Sequence, residues 1–481
     1  MMYTASGSKS ILIIAIGLGI LLLALLIFLL EDFGVAIPFV LPVLVSFTIY
    51  VFGHPRRALD MTLISSFLAI GVIRYVGDIP LGLTVDFFLL LAVVVAIFHR
   101  SVNHDFNKLN RGVMWCAALW MLYCVAELFN PEAVSYMAWM YAVRGLALYT
   151  FLTVPITLLY ANRTEDLDRF IKIILTLSVL AALWGLKQFY LGPDWAENAW
   201  LNVGKNRNTH VLFGELRIFS FFSDAGQFGS GIAHSGVIAA VIALGPFAAR
   251  TRVIAAICAI LFFFLMILSG TRGALIVPVA GMLVYLFASR NFKILAAGLM
   301  VMVAAYGFLQ YTTIANDIYQ VRRMRTALDP NDASLQVRLA NRVIIKDYLK
   351  DKPFGGGIGT SGSWGERFSP GTLLADTPND GWYVRVRAET GVVGLYLHVG
   401  ILIYIGVAGL YKCMKIKDEK LRHKLLALLV GYAGIAASSY GNPLLGQIPT
   451  GIILYMSWAY LFMAEDLDQQ VAQAKNQSLP K

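Results

Sequence analysis

Charged side chains are scarce here: Asp, Glu, Lys and Arg make up 14% of 481 residues, against about 25% in an average soluble domain. That deficit excludes a chain folded in water around a single core. Apolar residues fill the space, at 58% of the total and a mean hydropathy of +0.68. Cysteine is equally sparse. The four cysteines, Cys116, Cys124, Cys258 and Cys413, lie in or at the end of apolar runs, whereas a disulfide framework would place them in extracytoplasmic loops; they read as small core residues. Acid is short relative to base, 29 against 39, which leaves a formal charge of +10. This imbalance does not call for nucleic acid, because membrane proteins gather Lys and Arg in their cytoplasmic loops. A small-residue cleavage site is also missing after the first apolar run, where Glu31, Asp32 and Phe33 follow. That run is expected to persist as a first helix rather than to be removed as a signal peptide.

What the sequence does have is a series of apolar runs of span length, about 17 to 25 residues each. They fall near 11–30, 34–52, 58–76, 81–98, 112–129, 139–160, 168–190, 226–249, 252–269, 272–288, 293–310, 390–411, 421–438 and 447–464. The expected fold is all-α and polytopic, with about 12–14 transmembrane helices and a long helical extracytoplasmic loop. Short connections alternate in charge. Arg56 and Arg57, Arg100 with Lys108 and Arg111, Arg163 with Arg169, Arg250 with Arg252, Arg290 with Lys293, and the basic stretch "YKCMKIKDEKLRHK" fall on every second connection. The positive-inside rule then places both termini in the cytoplasm. Two long loops, 191–225 and 311–389, fall on the outer side, and their arginines need a local reason.

Arg74, Asp86, Glu127, Arg144, Lys187 and Arg272 all fall in the outer part of their spans. Any one of them could snorkel to the interface, but the shared side points to a charged cavity open to the extracytoplasmic face. Within the long outer loop, "DASLQVRLANRVIIKDYLKDKPFGGGIG" reads as an amphipathic helix capped at Asp332 or Ser334 and stopped before Pro353. Leu335, Leu339 and Val343 share one face, and Arg338, Arg342 and Lys346 form a basic stripe on another. That stripe is either a solvated face or a cradle for an anion, since guanidinium forks match phosphate oxygens. The cluster Gly355, Gly356, Gly357 and Gly359 lacks the strand and helix of a nucleotide loop and reads as a turn passing close to another surface. "EDLDR" at Glu165–Arg169 contains an Asp-x-Asp pair, but its short turn and the echo "EDLDQQ" near the C-terminus favour helix capping over a metal site. His234 and His398 fall inside spans and read as packed histidines.

Four motifs in order resemble the bacterial O-antigen ligase and O-antigen polymerase superfamily: "RIFSFFSDAGQFG" from Arg217, "SGTRGALIV" around Arg272, "SLQVRLANRVIIKDYLKDKPFGGGIG", and "DGWYVRVRAETGVVGLYLH". The resemblance covers roughly residues 215–400. It implies a GT-C-like membrane glycosyltransferase that moves a glycan from a polyprenyl (undecaprenyl) diphosphate carrier to an acceptor hydroxyl, without metal or other cofactor. It also implies a bacterial inner-membrane protein acting at the periplasmic face among membrane lipids. Arg217 and Arg272 would engage the donor diphosphate, with Arg338, Arg342, Lys346 and Arg144 as further binding residues. Asp380 stands where the ligases carry histidine, and would activate or orient the acceptor unless it only caps the following helix. Trp382 and Tyr383 suit stacking on sugar. The acceptor, whether a growing glycan, lipid A core or a protein, stays open. The region split is 1–215, helices; 216–464, the ligase/polymerase-like part with loop 311–389; and 465–481, a cytoplasmic tail. The rival reading is a lipid-linked glycan flippase or other secondary transporter.

Overall fold

The computed structural model describes residues 49–50 and 54–477, except 77–81, 99–104, 205, 213, 290–291, 315, 318, 327–328 and 330. The expected spans 11–30 and, apart from residues 49 and 50, 34–52 lie outside the described residues. Every later candidate span meets a helix. In chain order these are α1 (Pro55–Val76), α2 (Leu83–Phe98), α3 (Gly112–Ala126), α4 (Tyr136–Val143), α5 (Tyr149–Tyr160), α6 (Thr164–Tyr190), α7 (Trp195–Leu201), α8 (Ala225–Leu244), α9 (Ala249–Leu268), α10 (Ile276–Ser289), α11 (Phe292–Tyr311), α12 (Tyr319–Arg325), α13 (Ala333–Tyr348), α14 (Gly362–Phe368), α15 (Trp382–Lys415), α16 (Glu419–Ser438), α17 (Thr450–Phe462) and α18 (Ala464–Gln477). A π turn, Arg144–Leu148, joins α4 to α5 into one rod. Among the described residues eight helical stretches have the length and apolarity to cross a bilayer, and two shorter apolar helices, Leu83–Ile97 and Thr450–Phe462, accompany them. The protein is an all-α polytopic membrane protein. The strands present among the described residues form a two-residue hairpin, Val211–Leu212 with Glu215–Leu216.

The core lies around α8, α16 and α17. All 13 residues of α17 are buried, and α8 packs on α9 and α16. A helix apolar on all sides belongs in such a position. The four cysteines are free thiols, with Cys124 and Cys413 buried.

Two departures from the expected spans shape the site. First, α15 begins well before residue 390 and is broken at Gly391, whose φ is +68°. The chain doubles back there: the Trp382 indole N–H donates to His398 Nε2 over 2.8 Å, a contact that a straight helix of 16 intervening steps, about 24 Å long, would forbid. A side chain at Gly391 would collide with the Pro353 carbonyl oxygen, and the turn around Gly355 crosses at this apex, with Gly356 N–H donating to Ala388 O over 2.9 Å. Second, α17 is only 13 residues long. The preceding segment 439–449 is irregular and dips into the bundle. Gly446 O lies 2.6 Å from where a Cβ on Gly145 would stand, nine residues past Tyr136 and so about 13 Å along that rod. Irregular backbone at such depth persists when protein buries it, and Leu444 and Leu445 are 0% and 2% exposed.

The ends of the bundle are built differently. One, the loop end, carries residues 191–224 and 312–381. At the other, charged pairs join turns: Arg56 and Arg169 meet Asp166, and Lys424 meets Asp168. Asp166 also completes a capping box with Arg163, so the Asp-x-Asp pair serves a helix end. Asp466 of "EDLDQQ" pairs with Arg111.

Candidate active site at the loop end

Most charges inside the spans turn out to be clasps. Arg144 pairs with Asp86 through its Nε–H at 3.1 Å and donates to Tyr149 Oη at the same distance. It is thereby committed to its neighbours rather than presented to a ligand. Lys187 holds Asp194 at 2.8 Å and Glu197 at 2.9 Å, and Glu127 accepts from Asn130 at 2.7 Å. Arg74 is buried and donates to the carbonyls of Ser220 and Phe222, stacked between Trp200 and Phe219. Gln188 Oε1 accepts from Phe219 N and Ser220 N. These contacts hold Ser220 at φ +47°, a conformation that costs a non-glycine residue about 1–3 kcal/mol. The expected shared cavity is thus divided among local anchors, and their work is to fix the segment that begins at Arg217.

Arg217 donates through Nη2 to Thr271 Oγ1 at 3.0 Å and through Nη1 to Thr209 O at 3.3 Å, while Thr271 in turn donates to Ala225 O at 2.7 Å. Arg272 heads the 3-10 turn Arg272–Leu275 and pairs with Asp332 at 2.6 Å. A third guanidinium, Arg323 on α12, donates to Gly270 O at 2.6 Å and to Tyr319 Oη at 3.0 Å. Three arginines therefore meet at the turn 270–272. Burial, with Arg323 next and Arg272 adding to it, pushes the Arg217 guanidinium down to about 10, which leaves it charged at neutral pH. Its Nε is buried with no hydrogen-bond partner among the described residues, as is Asn442 Nδ2, beside Gly273. Like charges gathered with unspent donors have the chemistry to receive an anion.

Asp380 sits on a neighbouring edge. Gly381, rather than Asp380, holds the N-cap position of α15, and no side chain caps it, so the aspartate is not spent on capping. Its carboxylate meets Arg338 Nε at 3.4 Å and keeps 44% of its side-chain exposure. Asn379 Nδ2–H donates to Ser361 Oγ at 2.7 Å, which donates to Glu389 at 2.9 Å; Arg385 completes that buried group at 3.1 Å. Arg385 and Glu389 thus pair with each other, while the partly exposed Asp380 carboxylate pairs with Arg338.

Helix α13 joins the two places. Asp332 caps it while holding Arg272, and Arg338 reaches Asp380. Arg342 donates to Tyr440 O at 3.0 Å and lies 4.1 Å over the Tyr440 ring. Two stripe residues therefore face the protein and bind its own groups, whereas Lys346 is exposed. The apolar row is turned outward, with Leu335, Leu339 and Val343 at 38%, 40% and 57% exposure.

Trp382 is buried at 1%, hydrogen-bonded to His398, with its ring against Gly446. Its faces are covered by protein and offer no platform for sugar, because the fold-back at Gly391 carries it inward. Tyr383 donates its hydroxyl to Ala436 O at 2.7 Å and stays half-buried. His234 is fully packed, with Nε2 unpartnered among the described residues.

Sequence reasoning missed Arg323, Asn379 and Asn442. Arg323 lies in "VRRMR", whose local density of base was a usable signal; the two asparagines carried none. Among the described residues no group of three or more His, Cys, Asp or Glu side chains converges.

The chain is similar in sequence to known proteins over part of its length. Residues 257–399 match the O-antigen ligase family. An O-antigen polymerase of Salmonella muenchen is 26% identical over 194 residues, which is 39% of this chain and 45% of that protein. The match thus spans less than half the length of that relative.

Proposed function

We propose that this chain, whose residues 257–399 match the O-antigen ligase family and which is similar in part to an O-antigen polymerase, is a membrane glycosyltransferase that moves a glycan from a polyprenyl diphosphate to an acceptor hydroxyl. The observation that carries the reading is the meeting of Arg217, Arg272 and Arg323 at one turn, tied through α13 to the exposed carboxylate of Asp380. Breaking the anomeric C–O bond puts negative charge on the departing diphosphate oxygen. Fixed guanidinium groups stabilise that charge with no reorganisation, and Arg217 and Arg272 are assigned to it. On the other side the acceptor oxygen bonds to the anomeric carbon and loses its proton to Asp380. Attack opposite the leaving group inverts the anomeric centre. Metal is not needed for charge neutralisation in this scheme. The site is assigned to the extracytoplasmic face of the bacterial inner membrane, with the end bearing α18 in the cytoplasm, because Arg56, Arg57, Arg111, Arg169 and Lys424 gather there.

The test supplies the purified protein, in lipid nanodiscs without added metal, with a labelled polyprenyl-diphosphate oligosaccharide, beside Arg272→Ala and Asp380→Ala. A product ladder from donor alone, lost in both variants, is the expected result and identifies a polymerase. Transfer only after lipid A core or a protein is added identifies a ligase or a protein glycosyltransferase. Flipping of intact donor with no transfer overturns the reading in favour of a transporter.

A further inference from the structure

Helix α16 stops at Ser438, and the stretch that follows, "SYGNPLLGQIP", explains why. Pro443 steers the residue before it, Asn442, away from helical backbone, and the chain dips into the bundle instead. The dip is pinned on both sides of Asn442. Before it, Ser438 Oγ–H donates to Gly273 O at 2.8 Å, Trp382 N–H to Ser439 O at 2.9 Å and Arg342 to Tyr440 O at 3.0 Å. After it, Leu444 and Leu445 are buried and Gln227 Nε2–H donates to Ile448 O. Asn442 itself lies outside residues 257–399, the stretch that matches the ligase family.

These contacts wedge the Asn442 amide between two turns. A Cβ on Gly273, the residue after Arg272, would collide with its Nδ2, and one on Gly226 would stand 3.5 Å from its Oδ1. Glycine at both positions lets the amide in. The acids nearby are engaged: Asp332 pairs with Arg272 at 2.6 Å, and Asp224 accepts from Gln227 N at 2.9 Å and Ser223 Oγ at 2.7 Å, which holds its charge at the N-terminus of α8. Asn442 Nδ2 and Arg217 Nε are both buried with no hydrogen-bond partner among the described residues. A buried donor left unmade is costly, and a ligand atom is one of the few things that explains it. Arg217 reaches the turn at Thr271 and Asn442 reaches it at Gly273. Two unmatched donors, one charged and one neutral, therefore flank Arg272. Their contact points are two residues apart, at most about 7.6 Å between Cα atoms, a reach that suits two joined phosphates better than one.

We propose that Asn442 is a ligand-binding residue whose amide N–H donates to one phosphate of a diphosphate ester while Arg217 takes the other, so that the dip at 439–449 makes the site select a diphosphate over a monophosphate. The assignment rests on the transferase reading for the identity of the ester.

The experiment titrates full-length protein, in phosphatidylcholine nanodiscs, with radiolabelled polyprenyl diphosphate and with polyprenyl monophosphate. Wild type is expected to bind the diphosphate at least several-fold more tightly. Asn442→Ala weakens diphosphate binding by about 10-fold and leaves monophosphate binding within two-fold, which also serves as the control for folding. Gly273→Ala, which pushes the amide aside without removing it, gives the same pattern, whereas Arg272→Ala weakens both lipids. A wild type without preference, or an Asn442→Ala protein that keeps the preference or weakens both lipids alike, overturns the proposal. Binding needs no turnover. A preference lost in Asn442→Ala, in a protein that never transfers, would keep this assignment and remove the transferase reading; transfer by a protein whose preference survives Asn442→Ala would do the reverse.

Discussion

At the scale of the residue, Arg272 and Asp380 stand out in sequence because each sits in a motif to which the resemblance attaches a role, and the structure pairs the first with Asp332 and the second with Arg338. Trp382 was not legible. Its side-chain direction depends on a chain reversal nine positions later, and an aromatic beside a site reads the same in sequence whether its face is open or covered. Asp380→Asn keeps the size of the side chain and removes the base. It is expected to lower kcat by about 100-fold or more with donor KM nearly unchanged, measured by initial rates in nanodiscs; a rise in KM alone would assign Asp380 to acceptor binding.

Whole elements were legible wherever apolar length alone decided, which is why every described span from α1 onward was anticipated. Breaks within them were not, because Gly391 stands at the junction of the polar stretch 385–390 with an apolar run and the 3.6-residue periodicity carries no record of a reversal. Nor does periodicity say which face of α13 meets the protein; contacts with Asp380 and Tyr440 turn Arg338 and Arg342 toward it. Gly391→Ala forces a left-handed φ on a residue with a Cβ, which costs about 1–2 kcal/mol before the clash with Pro353 O. The expected outcome is a lower unfolding temperature and loss of a Trp382→Cys to His398→Cys crosslink, since the two arms of α15 would no longer lie side by side.

At the scale of the molecule, the C-terminal helix α18 is a fastening strip rather than a loose tail. Glu465 reaches Lys412 at 3.4 Å, Asp468 accepts from Lys417 N and Asp418 N at 3.1 and 3.0 Å, Gln470 donates to Asn162 O at 2.9 Å, and Lys475 meets Asp418 at 2.8 Å. Exposed pairs are worth about 0–1 kcal/mol each, so no single one matters much, but a chain ending at Met463 loses all of them. Truncation there is expected to lower the unfolding temperature by several degrees, with most of the loss absent when both proteins are compared in high salt. The sequence showed the acids of this strip and not their partners, which are spread over distant turns. A similar economy governs the loop end. Asp332 and Arg338 are six residues apart on one rigid helix, about 9 Å of axial rise, so α13 works as a gauge block set between two charges. The interval between Arg272 and Asp380 is fixed by peptide geometry, and inserting one residue between positions 332 and 338 would rotate the far contact by about 100° and put the gauge out of true.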